Sequence, residues 1–208
     1  MDSQINTDLL TDAGIPPAYW ALTRDTYWGS KKALAAVENY IVEAPRAVKT
    51  GMGLFITGDR DTLKTYLLVH VLMNLMVKGY DVRFHTIEEL SDQYWKRDES
   101  KASLEQSLAA PMFLAVDRVN EPENQGTQTV LKRLVSIRKD AGRPLLLASC
   151  LDQETFDTTY TGRISDFVRM SCLTVHAKVN TERREDFYTK RKMLMGSSQQ
   201  EHSEPKRW

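Results

Sequence analysis

Short apolar runs alternate with amphipathic stretches along most of the chain. Residues 53–57, 81–86, 112–116, 144–149 and 173–176 are strand-length runs rich in Val, Leu, Phe and Ile, each followed by polar or turn-forming residues. Between them lie helical patterns. In residues 30–43, Ala33, Val37, Tyr40 and Ile41 recur at helical spacing, Ser30 offers a cap, and Pro45 is expected to stop the helix. Residues 64–78 are apolar on most sides, the pattern of a helix packed inside an α/β layer, and Gly79 ends them. Helices are also expected over 87–97, 104–109, 127–141 and 162–169, with a polar loop at 98–103. Strands alternating with helices predict a three-layer α/β fold with a largely parallel sheet.

The ends differ from this body. Residues 1–13 read as a short arm with little structure of its own, and Gly14-Ile15-Pro16-Pro17 as a rigid, extended lead-in. Past about residue 180 the chain becomes charged, and 196–208 has the composition of a disordered tail. The expected organisation is an arm (1–13), one domain (14–180) and a charged tail (181–208).

Composition adds exclusions. The 208 residues carry 28 basic and 28 acidic side chains, so a generally basic nucleic-acid coat is excluded, while a local basic groove is not. Two cysteines, Cys150 and Cys172, are too few for a disulfide framework and are expected as buried free thiols. The histidines are scattered, without zinc-site spacing. No apolar run is long enough to span a membrane, and the acidic, polar start is unlike a signal peptide; a cytoplasmic protein is expected.

The chemistry concentrates after the first strand. Gly58, Lys64 and Thr65 stand between strand and helix where a P-loop has its first Gly, its Lys and its Ser/Thr. Such a loop cradles phosphates with backbone amides, neutralises them with Lys and ligates magnesium through the hydroxyl. Leu63 stands where the second Gly belongs. About fifty residues on, the strand 112–116 ends in Asp117, as a Walker B strand does, and a further strand ends in Ser149-Cys150, where a polar sensor is placed in related ATPases. The order fits a RecA/AAA+-type P-loop NTPase.

On these residues the chain resembles the AAA+ domain of bacterial helicase loaders of the DnaC/DnaI type and of IstB-like ATPases. The resemblance spans roughly residues 14–178. It rests on Gly14-Ile15-Pro16-Pro17, Gly53 to Gly58, Lys64-Thr65, Phe84-His85-Thr86 before an inserted helix, Phe113 to Asp117, and Gly162-Arg163. It implies a residual nucleotide site at Gly58, Lys64, Thr65 and Asp117. Thr65 and Asp117 are the metal ligands if Mg-nucleotide binds, and ATP or ADP would bind weakly.

Departures from the family pattern are concentrated where hydrolysis is performed. Leu63 takes the place of Gly, and Asp59 and Asp61 bring negative charge into a polyanion's loop. Arg118 follows Asp117 where an acidic general base is expected, and Glu121 lies three residues further on. Cys150 takes the place of Asn. Phe167 stands at the arginine-finger position, with Arg169 an imperfect substitute. Together they predict a pseudo-ATPase, with no residue assigned a catalytic role, acting as an accessory or assembly module in DNA replication or recombination. The alternatives are a divergent but active helicase loader and an inhibitor that mimics a loader subunit.

Two surfaces could serve partners. In the family, the inserted helix helps line a groove for single-stranded DNA, and the matching residues are His85, Thr86, Tyr94, Trp95, Lys96 and Arg97. Ordinary packing and a solvated helix end explain the same residues equally well. Of the adjacent rings Tyr94 and Trp95, only one is expected to face a groove. Lys132, Arg133, Arg138, Lys139 and Arg143 form a second basic stretch, read as a solvated face. About thirteen residues precede the family match, so a loader-type N-terminal helicase clamp is not expected there. Partner contacts with a replicative helicase, an AAA+ subunit or a second copy would fall to the body or to residues 182–194.

Overall fold

Five apolar runs form one sheet in which every pairing is parallel. In the computed structural model, which describes residues 6–96, 101–122 and 125–178, the strands are β1 (Gly53–Thr57), β2 (Val82–Thr86), β3 (Phe113–Asp117), β4 (Leu145–Ser149) and β5 (Cys172–His176). Their order is β2-β3-β4-β1-β5. The three inner strands are buried at every position, which is why they read as unbroken apolar runs rather than as alternating ones.

Successive side chains of each strand enter opposite layers. Leu54, Ile56, Phe113, Ala115, Leu146 and Ala148 pack into one core with α1 (Thr7–Asp12), α2 (Lys31–Val42), α3 (Ala44–Thr50) and α4 (Lys64–Val77). Phe55, Leu114, Val116, Leu145 and Leu147 pack into the other. Its helices are α5 (Ile87–Trp95), α6 (Lys101–Ala109), α7 (Gln125–Asp140), α8 (Gln153–Thr159) and α9 (Arg163–Ser171). The expected three-layer fold is therefore present. Among the described residues no helix is long and apolar enough to cross a membrane.

Several local expectations are corrected. The N-terminal segment contains α1, capped by the Asn6 side chain, with Leu10 and Ala13 buried against the body. The Phe84 N–H donates to the Ala13 carbonyl (2.7 Å), so this segment lies against the outer edge of β2. Gly14 follows at φ 75°, where a Cβ would lie 2.6 Å from the Phe84 carbonyl oxygen. Pro45 does not simply stop α2, which ends at Val42; it occupies the first turn of α3, where its missing N–H costs nothing. Lys101, expected in a loop, opens α6. Helix α8 has a single buried apolar residue, Phe156, so it gave no periodic signal; its start is fixed by Asp152 accepting from the Thr155 N–H (2.7 Å). The expected disordered tail and the 182–194 segment lie outside the described residues.

Candidate functional site

The C-terminal ends of the parallel strands gather the predicted residues, as this topology requires. The β1–α4 loop begins at Gly58, whose φ is 151° and where a Cβ would lie 2.0 Å from the Ala177 carbonyl oxygen. Asp61 (φ 61°) and Leu63 (φ 63°) are both left-handed. Leu63 thus holds the backbone conformation for which glycine is the default, at a cost of roughly 1–2 kcal/mol for a residue with a Cβ. Its side chain packs against the α1–α4 core.

The Lys64 ammonium folds back into the loop. It donates to the carbonyls of Gly58 (2.7 Å) and Asp59 (2.6 Å) and to the Thr62 hydroxyl (3.3 Å). Burial pushes its pKa below the ordinary lysine value, opposed by Cys150, Asp117, Asp59 and Asp61 nearby. Thr65, in the first turn of α4, donates its hydroxyl proton to Asp117 Oδ2 (2.7 Å). Asp117 is buried, and its Oδ1 accepts the Arg118 N–H (2.8 Å). Folding has brought together a hydroxyl and a carboxylate 52 residues apart.

Arg118 is the third left-handed non-glycine residue, at φ 61°. Its side chain lines a cavity of about 430 Å³ together with Arg60, Glu88, Asp92, Glu121 and Cys150. Glu121 therefore does share a cavity with Arg118, despite its offset in sequence. Cys150 is half-buried in this charged setting, not in the apolar one expected of it. Cys172 is also half-buried as a residue, but burial pushes its thiol pKa up, the behaviour of an inert core thiol. On the other side of the loop lies a cavity of about 320 Å³, lined by Tyr19, Leu22, Trp28, Leu63, Lys64 and Thr65.

Cys150, Phe167, Arg169 and Arg163, singled out in the sequence, have structural attachments. Asn120 accepts the Cys150 N–H on its side-chain oxygen (2.8 Å), and its carbonyl accepts the Tyr160 hydroxyl, so the loops after β3 and β4 are fastened together. Phe167 is buried in the α5–α9 core. Arg169 lies on the outer face of α9 and pairs with Asp157 (2.8 Å). Arg163 donates to the Ser136 hydroxyl (2.8 Å).

The DNA candidates have different surroundings. Thr86 caps α5: its hydroxyl accepts the Glu89 N–H (3.2 Å), and its own N–H donates to Glu89 (2.9 Å). His85 is half-buried, and burial pushes its pKa below the ordinary histidine value. Tyr94 packs against the core, whereas Trp95 is 52% exposed. Of the two rings, Trp95 is therefore the one open to a ligand. Lys96 is exposed at the end of α5, and Arg97 lies outside the described residues. Lys101, which sequence reasoning passed over, sets its ammonium 5.0 Å from the Tyr94 ring and 5.5 Å from the Trp95 ring.

The second basic stretch is not one solvated face. Arg138 is fully buried and Arg133 pairs with Glu105 through two hydrogen bonds (2.6 and 2.5 Å). Arg143 donates to the Ala109 carbonyl (3.0 Å). Lys132 and Lys139 are exposed.

A phosphate-bearing ligand fits this loop in its donor set: an ammonium, a helix N-terminus, a hydroxyl–carboxylate pair and a left-handed backbone kept without glycine. Asp59 and Asp61 weigh against it. No protein-family model matches the sequence, and no curated protein does. Solved structures do match. A DNA replication initiation factor superposes with a TM-score of 0.68 at 16% identity, over 87% of this chain and 56% of that one. A DnaC helicase loader superposes at 0.67 and 15% identity, over 78% of this chain and 100% of that one. The replication initiator DnaA bound to AMPPCP and single-stranded DNA superposes at 0.66 and 16%, over 87% and 56%. The chain thus spans little more than half of the first and third, and all of the loader. It shares the fold of these proteins, a three-layer α/β fold on an all-parallel five-stranded sheet.

Proposed function

We propose that this chain is a AAA+ accessory module of DNA replication or recombination, one that retains a weak nucleotide site and lacks efficient hydrolysis. It assembles on single-stranded DNA, a replicative helicase or another AAA+ subunit, its own copy included. The observation that carries the reading is the Thr65–Asp117 pair beneath a left-handed loop backbone, with a guanidinium next in the chain at position 118. Proteins of this fold include a helicase loader and an initiator bound to a nucleotide analogue and single-stranded DNA, which supports both ligand classes. Were ATP or ADP to bind, Lys64 and the α4 amides would hold phosphate, Thr65 and Asp117 would hold magnesium, and Tyr19 and Trp28, with the aliphatic Leu22, would offer the base an apolar wall. Bound magnesium supplies charge neutralisation.

If the loop limits affinity, Leu63→Gly combined with Asp59→Asn and Asp61→Asn raises it. Each screened repulsion is worth ~1 kcal/mol, so a gain on the order of tenfold is expected by titration. No gain in a folded variant would place the limit elsewhere.

The DNA reading is tested by fluorescence anisotropy with an oligonucleotide. Trp95→Ala is expected to weaken binding by about 1–3 kcal/mol, as for a stacked base, while Tyr94→Ala chiefly lowers stability. Lys96→Ala with Arg97→Ala flattens the salt dependence, because each phosphate no longer neutralised by a cation takes about 0.7 off the slope. Absence of binding at low salt would leave the body as a protein-docking platform only.

A further inference from the structure

We propose that Arg118 and Arg60 hold the terminal phosphate of a nucleoside triphosphate, so that this site distinguishes triphosphate from diphosphate without cleaving it. The inference rests on the nucleotide reading above and deepens it.

The two guanidiniums reach one cavity from different elements. Arg60 comes from the β1–α4 loop and Arg118 from the turn after β3. Both are exposed, and neither has an ion-pair partner among the described residues. Among the described residues Arg24, Arg133 and Arg169 pair with carboxylates, whereas the exposed Arg46, Arg83 and Arg163 have no ion pair either, so it is the shared cavity that singles out Arg60 and Arg118. The cavity adjoins the phosphate loop. The Arg118 N–H is bonded to Asp117, whose second oxygen holds Thr65, and Arg60 belongs to the loop itself. In this proposal the triphosphate lies along the loop, its base in the cavity lined by Tyr19 and Trp28 and its far end at the two arginines.

The backbone supports the assignment. A left-handed arginine is costly, and such strain persists where the surroundings enforce it. Here the enforcing contacts are the Arg118 N–H on Asp117 and, one residue on, the buried Val119, whose N–H donates to the Ala148 carbonyl (2.9 Å). They fix the direction in which residue 118 leaves the strand end. A carboxylate there would accept a proton from water; a guanidinium has no acceptor and instead offers a planar fork of donors that matches a phosphate. One substitution thus removes a base and adds an anion clamp. The carboxylates Glu88, Asp92 and Glu121 share the cavity but are exposed, so water screens their repulsion, whereas a bidentate contact to phosphate is direct.

The test is titration of the purified full chain with fluorescent ATP and ADP analogues in magnesium. Wild type is expected to prefer triphosphate by about 10- to 100-fold, the range for a lost charge-assisted hydrogen bond. Arg118→Asn, chosen because Asn tolerates φ above zero, should bring ATP affinity down to the ADP level and leave ADP affinity unchanged. Arg118→Lys should keep part of the preference. Circular dichroism checks that each variant is folded. If wild type binds both nucleotides and Arg118→Asn changes neither, or weakens both equally, the arginine assignment is overturned while the nucleotide reading stands. If wild type binds neither, with Lys64→Ala no different, the nucleotide reading fails and this inference falls with it.

Discussion

Replacing Arg138 with Ala is expected to destabilise the protein by about 3–5 kcal/mol, on the scale of breaking a buried charge network. The side chain has no exposed surface. Its guanidinium donates to the carbonyls of Leu108 (3.1 Å), Ala109 (3.4 Å), Pro111 (2.8 Å), Met112 (2.9 Å) and Pro144 (2.7 Å). Two of these are the last carbonyls of α6, which have no partner within the helix; the others belong to the turns leading into β3 and β4. One cation therefore caps a helix and fastens two strand entrances. Burial, reinforced by Arg143, pushes its pKa down to about 10, so it stays charged at neutral pH, and aligned carbonyl dipoles compensate the charge. Removing it leaves several buried acceptors unsatisfied at roughly 1–3 kcal/mol each before relaxation. For a chain of this size, the midpoint of thermal unfolding should fall by on the order of 10 °C. Arg138→Lys should recover part of the loss, because one ammonium cannot span five acceptors. A urea midpoint shift worth under ~1 kcal/mol for Arg138→Ala would refute this role.

That role was invisible in the sequence for a physical reason. Arg138 sits beside Lys139 and near Lys132 and Arg133, in a run whose composition reads as a solvated face. Only the tertiary fold brings the ends of α6 and the approaches to β3 and β4 around position 138. The strands were legible because burial on both faces makes them unbroken apolar runs, and α2 because Ser30 and its apolar spacing agree. The Thr65–Asp117 pair was legible because the two sites are fixed by strand ends, and strand ends can be counted. α8 escaped notice because its start is set by a capping aspartate rather than by periodicity. The choice between Tyr94 and Trp95 could not be made from sequence, since helix phase relative to the core depends on where α5 lies against α7 and β2.

ATP turnover by the purified protein is expected at or below ~10⁻³ per second, against the ~1 per second and more common among enzymes. Two losses, both part of the proposed reading, set this figure. Position 118 carries a guanidinium, which cannot take the proton of an attacking water, and a positioned base contributes about 10²–10⁴-fold. Position 167 carries a buried phenyl ring, and an arginine finger contributes about 10³–10⁵-fold in nucleotide hydrolases. These losses are not independent, so their product overstates the deficit. Glu121 is the residue that could spoil the expectation, because it shares the Arg118 cavity and can accept a proton. Phosphate release measured on wild type, Glu121→Gln and Lys64→Ala separates the cases. Turnover near 1 per second that both variants abolish would make Glu121 the base of a working enzyme. Turnover indistinguishable from Lys64→Ala is the expected result. Arg118→Glu should then restore only part of a normal rate, since the second change is not easily reversed in place: Phe167→Arg would set a cation in the apolar core that holds Phe156, Ile164 and Val168.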